Sequence, residues 1–319
     1  MKISRLDYSQ LHNSEFEGEL IDGFSNVGFV TIENHPITSD LQQEFHRACK
    51  EVFSLSEQEK SEYEIPGFKG QRGFVGFGRE QAVGAKAPDL KEFWHVGRDP
   101  DADNMLTKDY LPNVFPTQVP EFEKLGMQLF SELETVSQQL LICLTDVLGV
   151  KGDYFYDFVA SGNSILRALH YPGFFRSEYE ESSAVRAASH TDINLITLLL
   201  GASQRGLQVQ AHNGEWVNVH CKANELVVNV GDMLQRLSNM RFVSTVHRVL
   251  NPVAASGVEV KDDFVGPRIS IPFFCHPASD MPLDVLDSCT NSQNPPKFED
   301  ITAGNYLYQR LAELGLLEL

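Results

Sequence analysis

Three side chains of this sequence could hold one divalent ion: His190 and Asp192, in HTDINLITLLL, and His247, in STVHRVLNP. At i and i+2 of an extended segment, an imidazole nitrogen and a carboxylate oxygen project to one face. That spacing is frequent by chance, so its setting matters. Leu195 to Leu200 is almost wholly apolar, so the polar pair is expected to open a strand that enters a core. His247 lies in a β-favouring run and is expected on another strand, facing the first across a barrel mouth. Two histidines and a carboxylate on one side of an octahedral ion leave positions open, which suits Fe(II) that must bind an oxidant and a co-substrate. Zinc accepts the same donors.

Arg268 and Ser270, in RISIPFF, also stand at i and i+2 and present a guanidinium and a hydroxyl together. A planar fork beside a hydroxyl matches a carboxylate end-on. An arginine among Ile, Ile, Pro, Phe and Phe would be costly to bury without an anionic partner. The pair therefore favours an iron site with an acidic co-substrate, the competing reading being an ion pair with one of the chain's 44 acidic residues. Tyr171, in LHYPG, can add a second hydroxyl to the same carboxylate.

The remaining histidines are expected to be structural. His12, His35, His46, His212 and His276 stand alone, His220 follows a strand, and His95 and His170 have no carboxylate at ligand spacing. Five cysteines without a CxxC pair offer neither a disulfide framework nor a thiolate zinc site, and read as small buried apolar residues in a reducing compartment.

The elements that must position these residues change character along the chain. Val27 to Ile32 reads as a strand after a helix end. Leu41, Phe45, Ala48 and Val52 give helical spacing over 39–62, with a second helix starting at the capping-box sequence from Ser56 to Glu59. The glycine-rich stretch 66–80 must be loop or irregular strand. A long amphipathic helix follows Pro120 and ends at Gly149. From residue 153 onward come short β runs: 165–171, 195–200, 207–210, 215–220, 226–230, 244–250 and 268–274. Many short strands punctuated by Gly, Pro, Asn or Asp imply an antiparallel sandwich or barrel braced by the earlier helices.

The chain of 319 residues carries 26 basic and 44 acidic side chains, a net charge of −18, with 42% hydrophobic and 22% charged residues. This is a composition for a packed protein. The acidic balance argues against nucleic acid and against anionic lipid. No run approaches a membrane span, and the first residues lack a signal peptide's apolar region, so a cytoplasmic location is expected.

Taken in order, GFVTIENHPI, PDLKEFWHVG, HTD at 190–192, GLQVQ, LVVNVGDMLQRLSN, HRVLNP and RISIPFF resemble the iron- and 2-oxoglutarate-dependent dioxygenases of the isopenicillin N synthase-like group. The resemblance runs over nearly the whole chain. It implies a mostly β fold, a double-stranded β-helix (jelly roll, cupin-like) core braced by N-terminal and central helices. The chain would be one domain over 1–319, with a helical region at 1–150, the jelly roll at 151–280 and a C-terminal helical segment at 281–319. It further implies that His190, Asp192 and His247 ligate Fe(II), and that Arg268, Ser270 and Tyr171 hold the distal carboxylate of 2-oxoglutarate. The reaction would then consume O2, with ascorbate a candidate reductant. Decarboxylation of 2-oxoglutarate to succinate and CO2 would be coupled to hydroxylation, desaturation or ring closure of a small molecule. Related halogenases lack the carboxylate that Asp192 supplies.

Three departures stand out. Asn194 occupies a position where Gly is common, Met240 does likewise, with Asn239 expected to supply the tolerant turn, and 253–266 reads as an inserted hairpin loop that widens the gap between His247 and Arg268. Two other readings stay open. In isopenicillin N synthase itself the Arg-x-Ser pair holds a substrate carboxylate and no oxoacid is used. A metal-dependent hydrolase or non-catalytic cupin-like binder could use the same ligands. Arg72, Phe74, Lys91, His95 and Tyr306 are candidate substrate contacts, together with Gln71, Asn305, Tyr308 and Gln309. Leu307, Leu311, Leu314, Leu316 and Leu317 form an apolar stripe that could serve a monomer's own packing or a weak homo-oligomer.

Overall fold

Alternation with period two decides which side chains of the main sheet face which way. The computed structural model describes residues 2–68, 70–78, 91–105, 110–175, 186–201, 206–250 and 264–313. Its largest sheet is built from β1 (Ser4–Asp7), β2 (Phe29–Glu33), β3 (Gly73–Val75), β4 (Glu92–Gly97), β5 (Ile165–Tyr171), β8 (Ile196–Leu200), β11 (Leu226–Val230), β14 (Arg268–Ser270) and β15 (Pro272–Cys275). The strand order is β1-β2-β11-β8-β15-β5-β4-β3, with β14 also paired to β5. A second sheet is built from β7 (Ala187–His190), β9 (Leu207–Gln210), β10 (Trp216–Asn218) and β12 (His247–Val249), in the order β10-β9-β12-β7.

One face of the large sheet carries Val30, Ile32, Trp94, Val96, Leu166, Ala168, Ile196, Leu198, Val228 and Phe273, all buried in the main core. Helices cover it: α1 (Ser14–Asn26), α2 (Ser39–Phe53), α3 (Glu57–Ser61) and α4 (Pro120–Ile142). The Ser56 capping box at the start of α3 forms as expected. α4 begins with Pro120 in its first turn followed by Glu121 and Glu123, which suits the positive end of the helix. Its Phe122, Leu129, Leu133, Val136 and Leu140 are fully buried, each contributing about 1.5–3 kcal/mol of burial.

The helix does not run unbroken to Gly149. It stops at Ile142, and a separate turn, α5 (Thr145–Leu148), follows. Thr145 Oγ1 donates to the Ile142 carbonyl at 2.8 Å, a side-chain bond that competes with the helical ladder. Gly149 then ends α5 in the left-handed region at φ 64°.

The opposite face of the large sheet meets the small sheet. Phe29 and Val227 pack with Val209, and Val75, Phe93, Leu169 and Tyr171 make a second small cluster. Two facing sheets with helices on one outer side are the arrangement the sequence implies, antiparallel among the described strands except for the parallel β1–β2 pair. Residues 1–150 are less helical than expected, because β1 to β4 join the large sheet. The short elements α6 (Tyr154–Ala160), α7 (Asp232–Leu237) and α8 (Ala303–Glu313) complete the fold, with β6 (Phe174–Phe175) and β13 (Phe264–Val265). The 268–274 run divides at Ile271 into β14 and β15.

Most of the expected 253–266 hairpin lies outside the described residues; its last part, β13, pairs with β6. Leu314, Leu316 and Leu317 of the expected C-terminal stripe also lie outside them. Asn239 and Met240 both adopt positive φ, 50° and 66°, so the turn uses two left-handed residues. No helix among the described residues is long and apolar enough to cross a membrane.

Candidate active site

β7 and β12 are hydrogen-bonded antiparallel neighbours, and His190 stands directly opposite His247. This corrects the expectation that the two histidines face each other across a barrel mouth. A cross-strand pair brings side chains together at short range, and the imidazole centroids are 4.4 Å apart. His190 closes β7 instead of opening a strand, and Asp192 lies in the following loop. The strand-face rule therefore does not aim the carboxylate. Two hydrogen bonds do: Thr197 Oγ1 donates to Asp192 Oδ2 at 2.6 Å and Asn229 Nδ2 donates to the same oxygen at 2.8 Å. Oδ1 is left facing both imidazoles, 3.8 Å from His190 Nε2 and 3.7 Å from His247 Nε2.

The ring nitrogens on the far side are also engaged. His190 Nδ1 lies 2.7 Å from the Ala188 carbonyl, and His247 Nδ1 lies 3.1 Å from the Thr245 carbonyl. A carbonyl can only accept, so Nδ1 carries the proton and each Nε2 keeps its lone pair. Burial, followed by the His247 ring, pulls the His190 imidazolium down to about 4, against the opposing pull of Asp192. Burial raises the Asp192 carboxyl, but His247, His190, Asn229 and Thr197 outweigh it and hold it below the ordinary carboxylate value. Two neutral imidazoles and one carboxylate oxygen, all within 4.8 Å of one another, make a donor set that fits a ferrous ion.

Arg268, Ser270 and Tyr171 come from two paired strands. Arg268 pairs in register with Tyr171, and Ser270 with Leu169, across β14 and β5. All three side chains are buried. The Arg268 guanidinium stands 5.1 Å from the Tyr171 ring centre. A residue that motif reading passed over stands beside them. Arg186 is 2% exposed, and its guanidinium lies 5.7 Å from the same ring. Its position four residues before His190, next to a small-residue strand, was the available signal. Burial and the neighbouring Arg268 lower its pKa to about 10, opposed by Tyr171, so it remains charged at neutral pH.

The expected substrate contacts divide. His95 and Lys91 have the parity of the inner face. Lys91 lies within electrostatic reach of His190. His95 is buried and fixed at both ring nitrogens: Nδ1 lies 2.7 Å from the Gly70 carbonyl, and Nε2 accepts from Arg167 Nε at 2.5 Å. Arg167, also unremarked in the sequence, lies over Phe93 at 4.3 Å and Phe274 at 5.2 Å. Arg72 is 1% exposed, donates to the Gln71 and Arg98 carbonyls and to Asn163 Oδ1, and rests against Gly97, where a Cβ would collide with its guanidinium.

Phe74 does not face the site. It pairs with Trp94 and packs in the helix-side core, while Val75 takes the inner face beside Phe93; β3 has the opposite phase from the one a substrate role for Phe74 requires. Tyr306 donates to Asp232 Oδ2 at 3.4 Å, and that carboxylate also accepts from Thr191 and Ser244, so Tyr306 braces the turn beneath the HTD segment. His170, which has no carboxylate at ligand spacing in the sequence, meets one across the strands: its Nδ1 lies 2.7 Å from Glu92, which also binds Lys60 at 2.6 Å on the helix side.

Comparison with known proteins agrees with this geometry. Residues 162–277 match the family described as 2OG-Fe(II) oxygenase superfamily, and residues 2–118 match the non-haem dioxygenase in morphine synthesis N-terminal family. The chain is 32% identical over 286 residues to the 2-oxoglutarate-Fe(II) type oxidoreductase hxnY of Emericella nidulans, covering 86% of this chain and 78% of the relative. A 2OG-Fe(II) oxygenase family protein from Caulobacter crescentus superimposes with TM-score 0.85 at 36% identity, covering 98% of this chain and 99% of that one. A full-length Neurospora crassa protein solved in complex with alpha-KG gives TM-score 0.85 at 30% identity, covering 97% and 95%. The chain belongs to the 2OG-Fe(II) oxygenase superfamily, as a jelly-roll dioxygenase of the isopenicillin N synthase-like kind that uses Fe(II), 2-oxoglutarate and O2.

Proposed function

We propose that His190, Asp192 and His247 hold Fe(II) through Nε2, Oδ1 and Nε2, and that Arg268, Ser270 and Tyr171 receive the distal carboxylate of 2-oxoglutarate. Iron with the oxoacid and O2 supplies the oxidising chemistry, coupled to release of succinate and CO2. The chain's own residues bind, orient and exclude water. Thr197 and Asn229 hold Asp192 so that one oxygen is presented to the metal. The Ala188 and Thr245 carbonyls fix both imidazole tautomers. Arg186 adds a second positive charge at the diacid's far end, its guanidinium 5.7 Å and that of Arg268 5.1 Å from the Tyr171 ring centre.

The prime substrate is a small molecule seated on the inner face between β4 and β15. Arg167, oriented by His95, offers a polar contact there and Phe274 offers an apolar wall, which suits a compact, acceptor-bearing substrate. The same Neurospora crassa protein has also been solved with alpha-KG and thymine, at 29% identity and TM-score 0.85. The aspartate ligand favours hydroxylation, desaturation or ring closure over halogenation. With the helix-side core closed by its own helices, the protein works as a monomer or weak homo-oligomer.

The single observation that carries this reading is the convergence of three donor atoms beside a buried Arg-x-Ser pair. Succinate release should require both Fe(II) and 2-oxoglutarate. Arg268→Lys should raise the 2-oxoglutarate KM by roughly tenfold or more, the effect of losing a bidentate charge-assisted contact. An unchanged KM would assign the carboxylate elsewhere.

A further inference from the structure

A second constellation of metal-binding side chains lies away from the oxygenase site. His12, Glu17 and Cys143 bring one ligand atom each to within 4.8 Å of one another. They come from three places that the fold must fasten together: the loop before α1, the first turn of α1, and the residue that caps the C-terminal end of α4. Cys143 belongs to the helix-side core, whereas His190, Asp192 and His247 stand on the other side of the large sheet.

We infer that His12, Glu17 and Cys143 form a structural site for a borderline-soft divalent ion of the zinc type, with water in the fourth position. The donor types choose the metal. A thiolate, an imidazole and a carboxylate suit tetrahedral Zn(II), while Mg(II) and Ca(II) prefer oxygen throughout. The thiol is 5% exposed and the histidine is exposed, so the site has a buried anchor and an open mouth for entry. His12 adopts φ 71°, a left-handed conformation uncommon for a residue with a side chain, immediately before the Asn13 cap of α1.

Backbone N–H groups of His12 and of Cys143 itself favour the thiolate form of the sulfur. Without metal the sulfur stays protonated: burial, with Glu17 adding to it, raises the thiol to about 11. Ion binding therefore displaces the thiol proton to solvent. The bound ion would tie the start of α1 to the end of α4, two segments far apart in the sequence.

The test uses the full chain with the oxygenase ligands removed by His190→Ala and Asp192→Ala, titrated with Co(II) as the probe. One equivalent should produce a near-ultraviolet thiolate-to-cobalt band, which Zn(II) then displaces. Adding Cys143→Ser should abolish the band, and Cys221→Ser should leave it. His12→Ala, a surface change that the fold tolerates more readily, should weaken Co(II) binding by roughly tenfold or more. Absence of the band, its survival in Cys143→Ser, or unchanged affinity in His12→Ala would each overturn the assignment. None of these outcomes depends on oxygenase activity.

Discussion

The two faces of the large sheet are made by the same strands and do different work. On the helix side, Trp94, Leu166, Leu198, Val228 and Phe273 join one continuous apolar core. One residue along each strand, on the inner side, stand His95, Arg167, Thr197, Asn229 and Phe274. The registers set them side by side: His95 opposite Arg167, Thr197 opposite Phe274 and Asn229 opposite Thr197. Among the described residues, apolar packing on that side forms two small clusters. A sheet that is hydrophobic on one face and polar but buried on the other has stability assigned to the first and chemistry to the second. Buried polar residues in phase with one another across strands mark the site more reliably than any single motif.

Substitutions can separate the faces. The largest effect belongs to the inner side: His190→Ala should reduce 2-oxoglutarate-dependent succinate release to background while leaving the thermal transition of the metal-free protein nearly unchanged. On the helix side, Leu133→Ala should cost about 2–5 kcal/mol of stability in denaturant unfolding, with the affinity for 2-oxoglutarate preserved. If Leu133→Ala abolished binding while the fold held, the two faces would not be separable.

A pH dependence refines the contrast. Burial lowers His276 to about 4, opposed by Asp192, against an ordinary 6.5 in the unfolded chain. Between those values the unfolded chain binds the extra proton and the folded one does not. Stability of the metal-free protein should therefore rise from about pH 4 to 6.5 and be lost as pH falls, on the order of 3 kcal/mol from this group. His190 acts in the same direction. His276→Gln should flatten the profile relative to wild type; identical profiles would mean that the imidazole is not held neutral. The smallest effect concerns the residues behind the carboxylate. Asn229→Leu and Thr197→Val should each weaken Fe(II) binding by about 10–100-fold, measured by competition with a chelator, without loss of the folded state.

Much of this is legible in the sequence alone. The runs at 165–171, 207–210 and 226–230 appear as β5, β9 and β11 with the expected bounds, because their alternation and flanking Gly, Asn or Asp residues are local signals. His190, Asp192, His247, Arg268 and Ser270 stood out because chemistry restricts both type and spacing. What escaped was non-local. The phase of β3, which turns Phe74 into the core, depends on its pairing with β4. The bonds from Thr197 and Asn229 that orient Asp192 come from two strands in register with each other. Arg186 had only its place four residues before His190 to mark it and Arg167 had no motif; the packing sets one beside Tyr171 and the other against Phe93 and Phe274. The strand Glu92–Gly97 was hidden because its charged and aromatic residues do not alternate in polarity.

We propose that one inner face joins a ferrous site to a diacid-binding arginine. The most direct test is anaerobic titration of the metal-free protein with Fe(II) and then 2-oxoglutarate, followed in the visible spectrum. The expected result is an absorption band that needs both additions, is absent in Asp192→Ala, and requires a higher 2-oxoglutarate concentration in Arg268→Lys. A wild-type protein that binds Fe(II) yet stays colourless at saturating 2-oxoglutarate would contradict it.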